Sequence, residues 1–410
     1  MTAPPEPGTI GLVPPRFGDD VVGGAEVVVA EVARRLAARG HRVEVLTTCA
    51  RDHYTWANDY PAGVEEVDGL LVRRFPTETD TAGVHRDRIG GRILTGHGVT
   101  ISDQQLWAND SLRVPELWHH VLDHQDRYRA LVFAPYMFWT SYAVGQIAPG
   151  RTIVMPCLHD EPTARLEIFR PLIGGARGVW FLTEPEARLA AELFDLPRRH
   201  AIVGAGIEPP EAYRPEDFRS AYGVDRPFVY YAGRREWGKG WSELLASFAE
   251  LVRTQPTELL LVTSGVGEVE PPPDIADRVV DVGFLSTEQR NNAMAAAAAY
   301  VQPSVMESFS RTVLEAWAAG TPVVANEGSA VVRWHVERSG AGLLYRTGPE
   351  LTEALRFVSD EPLAAANLAL PGPTYVADHY RWDGVIDRME ATLDEWLPAG
   401  AATDRAEVPA

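Results

Sequence analysis

Lysine is nearly missing from this chain of 410 residues. Among its 38 basic side chains, Lys239 alone is a lysine and arginine supplies the rest. Amine chemistry therefore has one side-chain carrier. Cysteine is nearly as scarce, with Cys49 and Cys157 far apart and each following a strand-like run; that suits reduced, buried thiols better than a disulfide framework or a cysteine metal site. No apolar run is long enough to span a bilayer, and Met1-Thr2-Ala3-Pro4-Pro5-Glu6-Pro7 lacks the basic and apolar regions of a signal peptide. The expectation is a cytoplasmic chain with no transmembrane segment. Positive charge is in deficit: a net charge of -19 opposes nucleic acid and anionic membrane surfaces, so any phosphate site must be a local feature of the fold. Gly-x-Gly-x-x-Gly is absent, which argues against a nicotinamide dinucleotide site. Asp-x-Asp is absent too, which leaves a divalent metal on a diphosphate without an obvious holder.

What is present is alternation. Strand and helix patterns follow one another along almost the whole chain, the signature of parallel α/β sheets with crossover helices. A chain of this length, 45% hydrophobic, is too long for one ordinary core, so two domains are expected. The first spans 1–205, with strands at 9–13, 42–47, 70–75, 130–134, 152–156 and 179–182 and a helix from Ala25 to Arg39. The segment 204–215 resists both helix and sheet and reads as a linker. The second domain spans 216–375, with strands near 228–232, 259–263, 279–282, 299–302 and 322–325. A closing helix falls within 376–397, and 398–410 reads as a mobile tail. Residues 85–126 show no firm period and are treated as a variable region.

The densest chemical signal is Pro303-Ser304-Val305-Met306-Glu307-Ser308-Phe309-Ser310-Arg311-Thr312-Val313-Leu314-Glu315, a strand-to-helix turn with a carboxylate on either side. Ser310 is placed as the helix N-cap, its hydroxyl satisfying first-turn amides. Between Glu307 and Glu315 the backbone N–H groups of Ser310, Arg311 and Thr312 face outward toward phosphate oxygens. A second signal, Gly233-Arg234-Arg235-Glu236-Trp237-Gly238-Lys239-Gly240, follows the first strand of the second domain. Ligands bind at such carboxyl ends of parallel strands, and Arg234 and Lys239 suit a diphosphate, the alternative being a solvated basic loop. A third signal is the loop 17–26 with Gly23 and Gly24, where backbone can approach a ligand closely. His159 follows a first-domain strand and is expected to face the interdomain cleft; its alternative is a structural role. The run 136–142 could stack on a sugar, but core packing is the commoner use of such a run.

Together these segments resemble the family 4 glycosyltransferases, retaining enzymes with two Rossmann-like domains facing a cleft, called GT-B. The resemblance covers nearly the entire chain and is strongest in the second domain. It implies that Glu307 is the first glutamate of the family's Glu-x7-Glu motif, on hydroxyls of the donor sugar, and that Glu315 is the second, on the ribose. It also implies that Arg234 and Lys239 hold the departing diphosphate, and that backbone around Ser308, Phe309, Ser310, Arg311 and Thr312 meets sugar and phosphate. Gly233 lies in the diphosphate loop. His159 resembles the histidine beside the reacting sugar, and Gly23 and Gly24 the loop near donor phosphate and acceptor. The strand and turn 279–285, with Phe284, resembles the base-contacting region. Two departures stand out: Ser310 sits where many relatives have glycine, and Arg311 and Thr312 replace the usual aliphatic pair.

The implied activity is metal-independent transfer of a hexose, with retention, from a nucleoside diphosphate sugar to a hydroxyl of a saccharide, glycoconjugate or natural product. A UDP-sugar is favoured as donor substrate, and no other cofactor is implied. Membrane contact would be peripheral and only for a lipid acceptor. The alternatives are a sugar-nucleotide epimerase or phosphorylase of the same fold, or a catalytically silent nucleotide-sugar-binding protein. A phosphorylase would need a pyridoxal-bearing lysine, and Lys239 lies where phosphate is the better fit.

Overall fold

The computed structural model describes residues 4–18, 21, 23–78 and 84–398. The chain forms two compact units, one from the chain up to Ala205 and again from Val385, the other from Gly206 to Gly384. The expected tail beyond Pro398 lies outside the described residues.

The first unit is an eight-stranded sheet. Its strands are β1 (Thr9–Val13), β2 (Val43–Thr48), β3 (Gly63–Val67), β4 (Leu70–Phe75), β5 (Tyr128–Phe133), β6 (Thr152–Val154), β7 (Gly178–Phe181) and β8 (His200–Ile202), in the order β3-β4-β2-β1-β5-β6-β7-β8. All neighbours are parallel except β3 and β4. β1 is buried at every position, as a central strand covered on both faces must be. β3 and β8 were not expected. Both are edge strands with polar or half-exposed faces, so they lack the apolar run that announces an inner strand.

The stretch read as a variable region is instead helical, with helices at Val84–Leu94, Ile101–Ser111 and Pro115–His124. The second has a clear local cause, a capping box in which Thr100 and Asp103 exchange hydrogen bonds. The aromatic run after β5 divides as core packing requires: Tyr136 and Trp139 are buried, and the helix at Trp139–Tyr142 is a single turn.

The second unit has β9 (Phe228–Ala232), β10 (Leu260–Ser264), β11 (Val279–Asp281), β12 (Ala299–Gln302), β13 (Val323–Asn326) and β14 (Gly342–Tyr345), all parallel, in the order β11-β10-β9-β12-β13-β14. Counted from β9 this is the 3-2-1-4-5-6 order of a doubly wound sheet, whose switch point lies between β9 and β12. Valine, leucine and tyrosine of these strands pack with Trp241, Phe248 and Leu355 into one core.

The last described helix is Trp382–Trp396. From Val385 on it belongs to the first unit, where Glu390 accepts from Arg39 at 2.7 Å and pairs with the His41 ring at 2.8 Å. Further along it, Trp180 donates to Thr392 at 2.8 Å and Arg129 to Asp394 at 2.6 Å. No helix among the described residues is long and apolar enough to cross a membrane.

Candidate functional site

β9 and β12 are neighbours, with Tyr230 opposite Tyr300, so the loops leaving their carboxyl ends flank the switch point of the second unit. Those loops carry the two signals read from the sequence. They touch at Gly240, which has φ 73°; a Cβ there would stand 2.6 Å from the Pro303 carbonyl oxygen, so only glycine fits. This contact sets the next residue back: Lys239 Nζ lies 3.0 Å from Glu307 Oε1. The chain's one lysine is thus held against the first glutamate of the motif. Both side chains are largely shielded from solvent, where an ion pair keeps more of its Coulomb attraction than on an open surface.

At the other end of the loop, Gly233 N–H donates to Ser264 O at 3.0 Å. Arg234 reaches outward to Glu236 at 3.2 Å, and both are half-exposed. Arg235 behaves differently. Its guanidinium is buried and donates to Thr263 Oγ1 (3.1 Å), the carbonyls of Gly265 (3.1 Å) and Gly267 (2.9 Å), and Asp281. It ties together the loops after β9, β10 and β11, a role that sequence reasoning missed because nothing in Gly-Arg-Arg separates one arginine from the other. Phe284, on the turn after β11, is 63% exposed and Gly283 N–H beside it donates to Asp281 Oδ1 at 2.9 Å.

The helix following β12 is Arg311–Ala318. Ser310 does precede it, but its hydroxyl makes no capping bond, which corrects the expectation from its residue type. The backbone at Ser310 is left-handed, φ 58° and ψ 59°. That turns the hydroxyl to accept from Gln302 Nε2 at 2.9 Å instead. The same geometry suits the glycine that the family resemblance implies at this position, since a left-handed residue without a Cβ carries no steric penalty. The first helical bond runs from Val313 N–H to Ser310 O at 3.1 Å. The Arg311 and Thr312 amides thus sit at the positive end of the helix dipole with no acceptor among the described residues. Ser308 and the Phe309 side chain are buried. Phe309 packs edge-on to His335 and Tyr380, and its carbonyl meets His335 Nε2 at 3.1 Å.

Glu315 is only 5% exposed and lies between two guanidinium groups. Arg290, from the helix Thr287–Ala296, donates through Nε to Oε2 at 3.2 Å and through Nη2 to Oε1 at 3.1 Å. Arg311 Nε donates to Oε1 at 2.8 Å. The expectation for Arg311 concerned its backbone amide; its side chain serves the glutamate one turn on. Arg290 was not anticipated, because a lone arginine on a polar helix reads as solvent-facing.

The remaining predicted residues lie in the first unit. Gly23 is the N-cap of the helix Gly24–Ala38, whose first turn carries Glu26 in a buried pair with Arg16; Asp19, Asp20 and Val22 of that loop lie outside the described residues. His159 follows β6 with a partly exposed ring whose Nδ1 is 3.8 Å from Glu161 Oε1. Burial pushes the Glu161 carboxyl upward, but bonds from His159, Tyr136 and Thr163 outweigh it and hold the group below its usual range. Glu186 accepts from the amides of Leu158 (2.7 Å) and Leu182 (2.6 Å), pinning the loop that carries His159. Complete burial nevertheless lifts its carboxyl to about 7. Cys49 and Cys157 are free and buried. Among the described residues no group of three His, Cys, Asp or Glu side chains is placed to hold a metal ion.

Residues 226–360, which hold all of the second-unit site, match the family model for group 1 glycosyl transferases. The D-inositol 3-phosphate glycosyltransferase of Frankia alni is 29% identical over 76% of this chain and 79% of its own length. That of Geodermatophilus obscurus is 27% identical over 98% of this chain and 90% of its own. The fold is shared with sucrose-phosphate synthase from Thermosynechococcus elongatus, TM-score 0.72 at 18% identity, over 96% of this chain and all (100%) of that one. Taken together, these matches support a family 4-like glycosyltransferase. The GT-B fold is also that of Anabaena Alr3699/HepE in complex with UDP-glucose, TM-score 0.69 at 17% identity over 94% of this chain and 99% of that chain.

Proposed function

We propose that the protein is a retaining hexosyltransferase that takes a nucleoside diphosphate sugar, with a UDP-sugar favoured, and passes the hexose to an acceptor hydroxyl without a metal ion. The observation that carries this reading is the pairing of Lys239 with Glu307 on the turn that leads into the helix Arg311–Ala318, whose Arg311 and Thr312 amides have no acceptor among the described residues, at the switch point of the second unit. An ammonium and two helix amides supply positive potential where a diphosphate leaves. Glu307 supplies acceptor oxygens for sugar hydroxyls. Arg234, half-exposed beside Glu236, would exchange that partner for phosphate and complete the cation pair. Glu315 meets the ribose, Phe284 and Gly233 lie toward the nucleotide, and His159, Gly23 and Gly24 act on the reacting sugar, phosphate and acceptor as the family resemblance implies.

In the reaction the bond between the anomeric carbon and the phosphate oxygen breaks. The bond to the acceptor oxygen forms on the same face, and the acceptor proton passes to the departing phosphate. The names of the Frankia and Geodermatophilus relatives make a phosphorylated polyol the first acceptor to try.

The lysine count gives a direct test. Amine-reactive labelling of the peptide containing Lys239, followed by mass spectrometry, should fall when UDP or UDP-glucose is present. Transfer should persist in excess chelator. Labelling indifferent to every nucleoside diphosphate would remove Lys239 from the donor site, and transfer lost to chelator and restored by magnesium or manganese would show that a metal neutralises the phosphates.

A further inference from the structure

The carboxylate of Glu315 has about four lone-pair sites. Three are already filled, two on Oε1 by Arg290 Nη2 and Arg311 Nε and one on Oε2 by Arg290 Nε. The two arginines come from different helices and grip the group from two directions, so its plane and its open site have fixed orientations. Arg290 holds both oxygens in a fork, which a lysine cannot do. Arg311 blocks the remaining face of Oε1.

We propose that Arg290 is a positioning residue for the nucleotide and Arg311 a residue that narrows its recognition: together they leave Glu315 one acceptor site, on Oε2, so that the ribose is held through a single hydroxyl. This rests on the reading of Glu315 as the ribose ligand. Arg290 acts through Glu315 and touches no reacting atom.

The test is calorimetric titration of the full chain with whichever of UDP, GDP and ADP binds most tightly, and with the 2′-deoxy and 3′-deoxy forms of that nucleotide. One deoxy form should bind about tenfold more weakly, the loss of one charge-assisted hydrogen bond, and the other should match the parent. Arg290→Lys, which keeps the charge but not the fork, should erase that difference while thermal unfolding stays close to wild type, an outcome a merely structural role would not produce. Arg311→Leu should open the second site on Oε1 and make both hydroxyls count. Equal losses for the two deoxy forms in the wild type, or an undiminished difference in Arg290→Lys, would overturn the proposal while leaving Glu315 on the ribose. If Glu315→Gln leaves all three nucleotides unchanged, the ribose reading fails and takes this inference with it.

Discussion

Replacing His335 separates the packing of the second unit from its chemistry. The ring is fully buried, with Nε2 3.1 Å from Phe309 O and Nδ1 3.0 Å from Tyr375 Oη. A carbonyl can only accept, so Nε2 carries the proton and Nδ1 accepts from the tyrosine. His335→Phe keeps a ring but strands the Phe309 carbonyl, at about 1–3 kcal/mol, and removes the Tyr375 bond, at about 1 kcal/mol. Tyr375 keeps Tyr380 as a second partner at 3.4 Å, so its own desolvation is partly spared. The sum is about 2–4 kcal/mol. For a unit of this size, Gly206–Gly384, that is roughly 5–15 °C in Tm. His335→Gln retains a donor for Phe309 and should lose about half as much.

The pH dependence adds a second criterion. Burial holds the imidazole down at about 3 against an ordinary 6.5. Between those values the unfolded chain binds a proton that the folded one refuses, so this contribution is complete above pH 6.5 and is lost as pH falls. The slope is about 1.4 kcal/mol per unit, or about 2 kcal/mol by pH 5. Both variants lack the titrating group and should fall less steeply. Scanning calorimetry at pH 7.5 and 5 reads both effects. A Phe variant melting within 2 °C (~0.5–1 kcal/mol) of wild type, or parallel acid slopes, would refute the argument.

Three further outcomes follow from the same geometry. Ser310→Gly relieves a left-handed residue by about 1 kcal/mol and loses the Gln302 bond at about the same cost, so chemical denaturation should find it near wild type, whereas Ser310→Val, with a β-branched side chain at φ 58°, should cost more than about 2 kcal/mol; a tolerated valine counts against the backbone reading. Glu186, lifted by burial to about 7, retains a proton that the unfolded chain releases above its ordinary 4.5, so wild-type stability should decline between those pH values more than that of Glu186→Gln, and equal urea midpoints across the window would contradict it. Replacing Arg234 and Lys239 together with alanine should lower transfer at least about a hundredfold with circular dichroism unchanged, and an unaffected rate would exclude both from catalysis.

The sequence by itself determined the doubly wound class and where in it the candidate residues fall. Inner strands of a parallel sheet are buried on both faces, so β9, β10, β12 and β13 appear as short apolar runs that need no partner to be recognised. The turn containing Glu307 and the loop containing Lys239 follow two of those strands directly, which places them at a sheet's carboxyl edge before any contact is known. Edge strands β3 and β8 escaped because one polar face removes the apolar run, and the edge strand β14, which opens on Gly342 and is mostly half-buried, escaped as well. The helices between 84 and 124 escaped because their short amphipathic patterns compete with glycine and histidine.

What only the tertiary structure decided is which neighbour each charge has. Arg234 and Arg235 are chemically identical and adjacent, yet the loop leaves one half-exposed beside Glu236 and buries the other against Thr263, Gly265, Gly267 and Asp281. Ser310 has the residue type of an N-cap, but its backbone is left-handed and its hydroxyl turns to Gln302, next to a Phe309 carbonyl that meets His335, 26 residues further along the chain. Glu315 reads from sequence as an open carboxylate; a helix beginning 28 positions earlier, at Thr287, brings Arg290 against it. Hydrogen bonding is directional and acts across space, so residue type announces what a side chain can bond while the fold selects the partner.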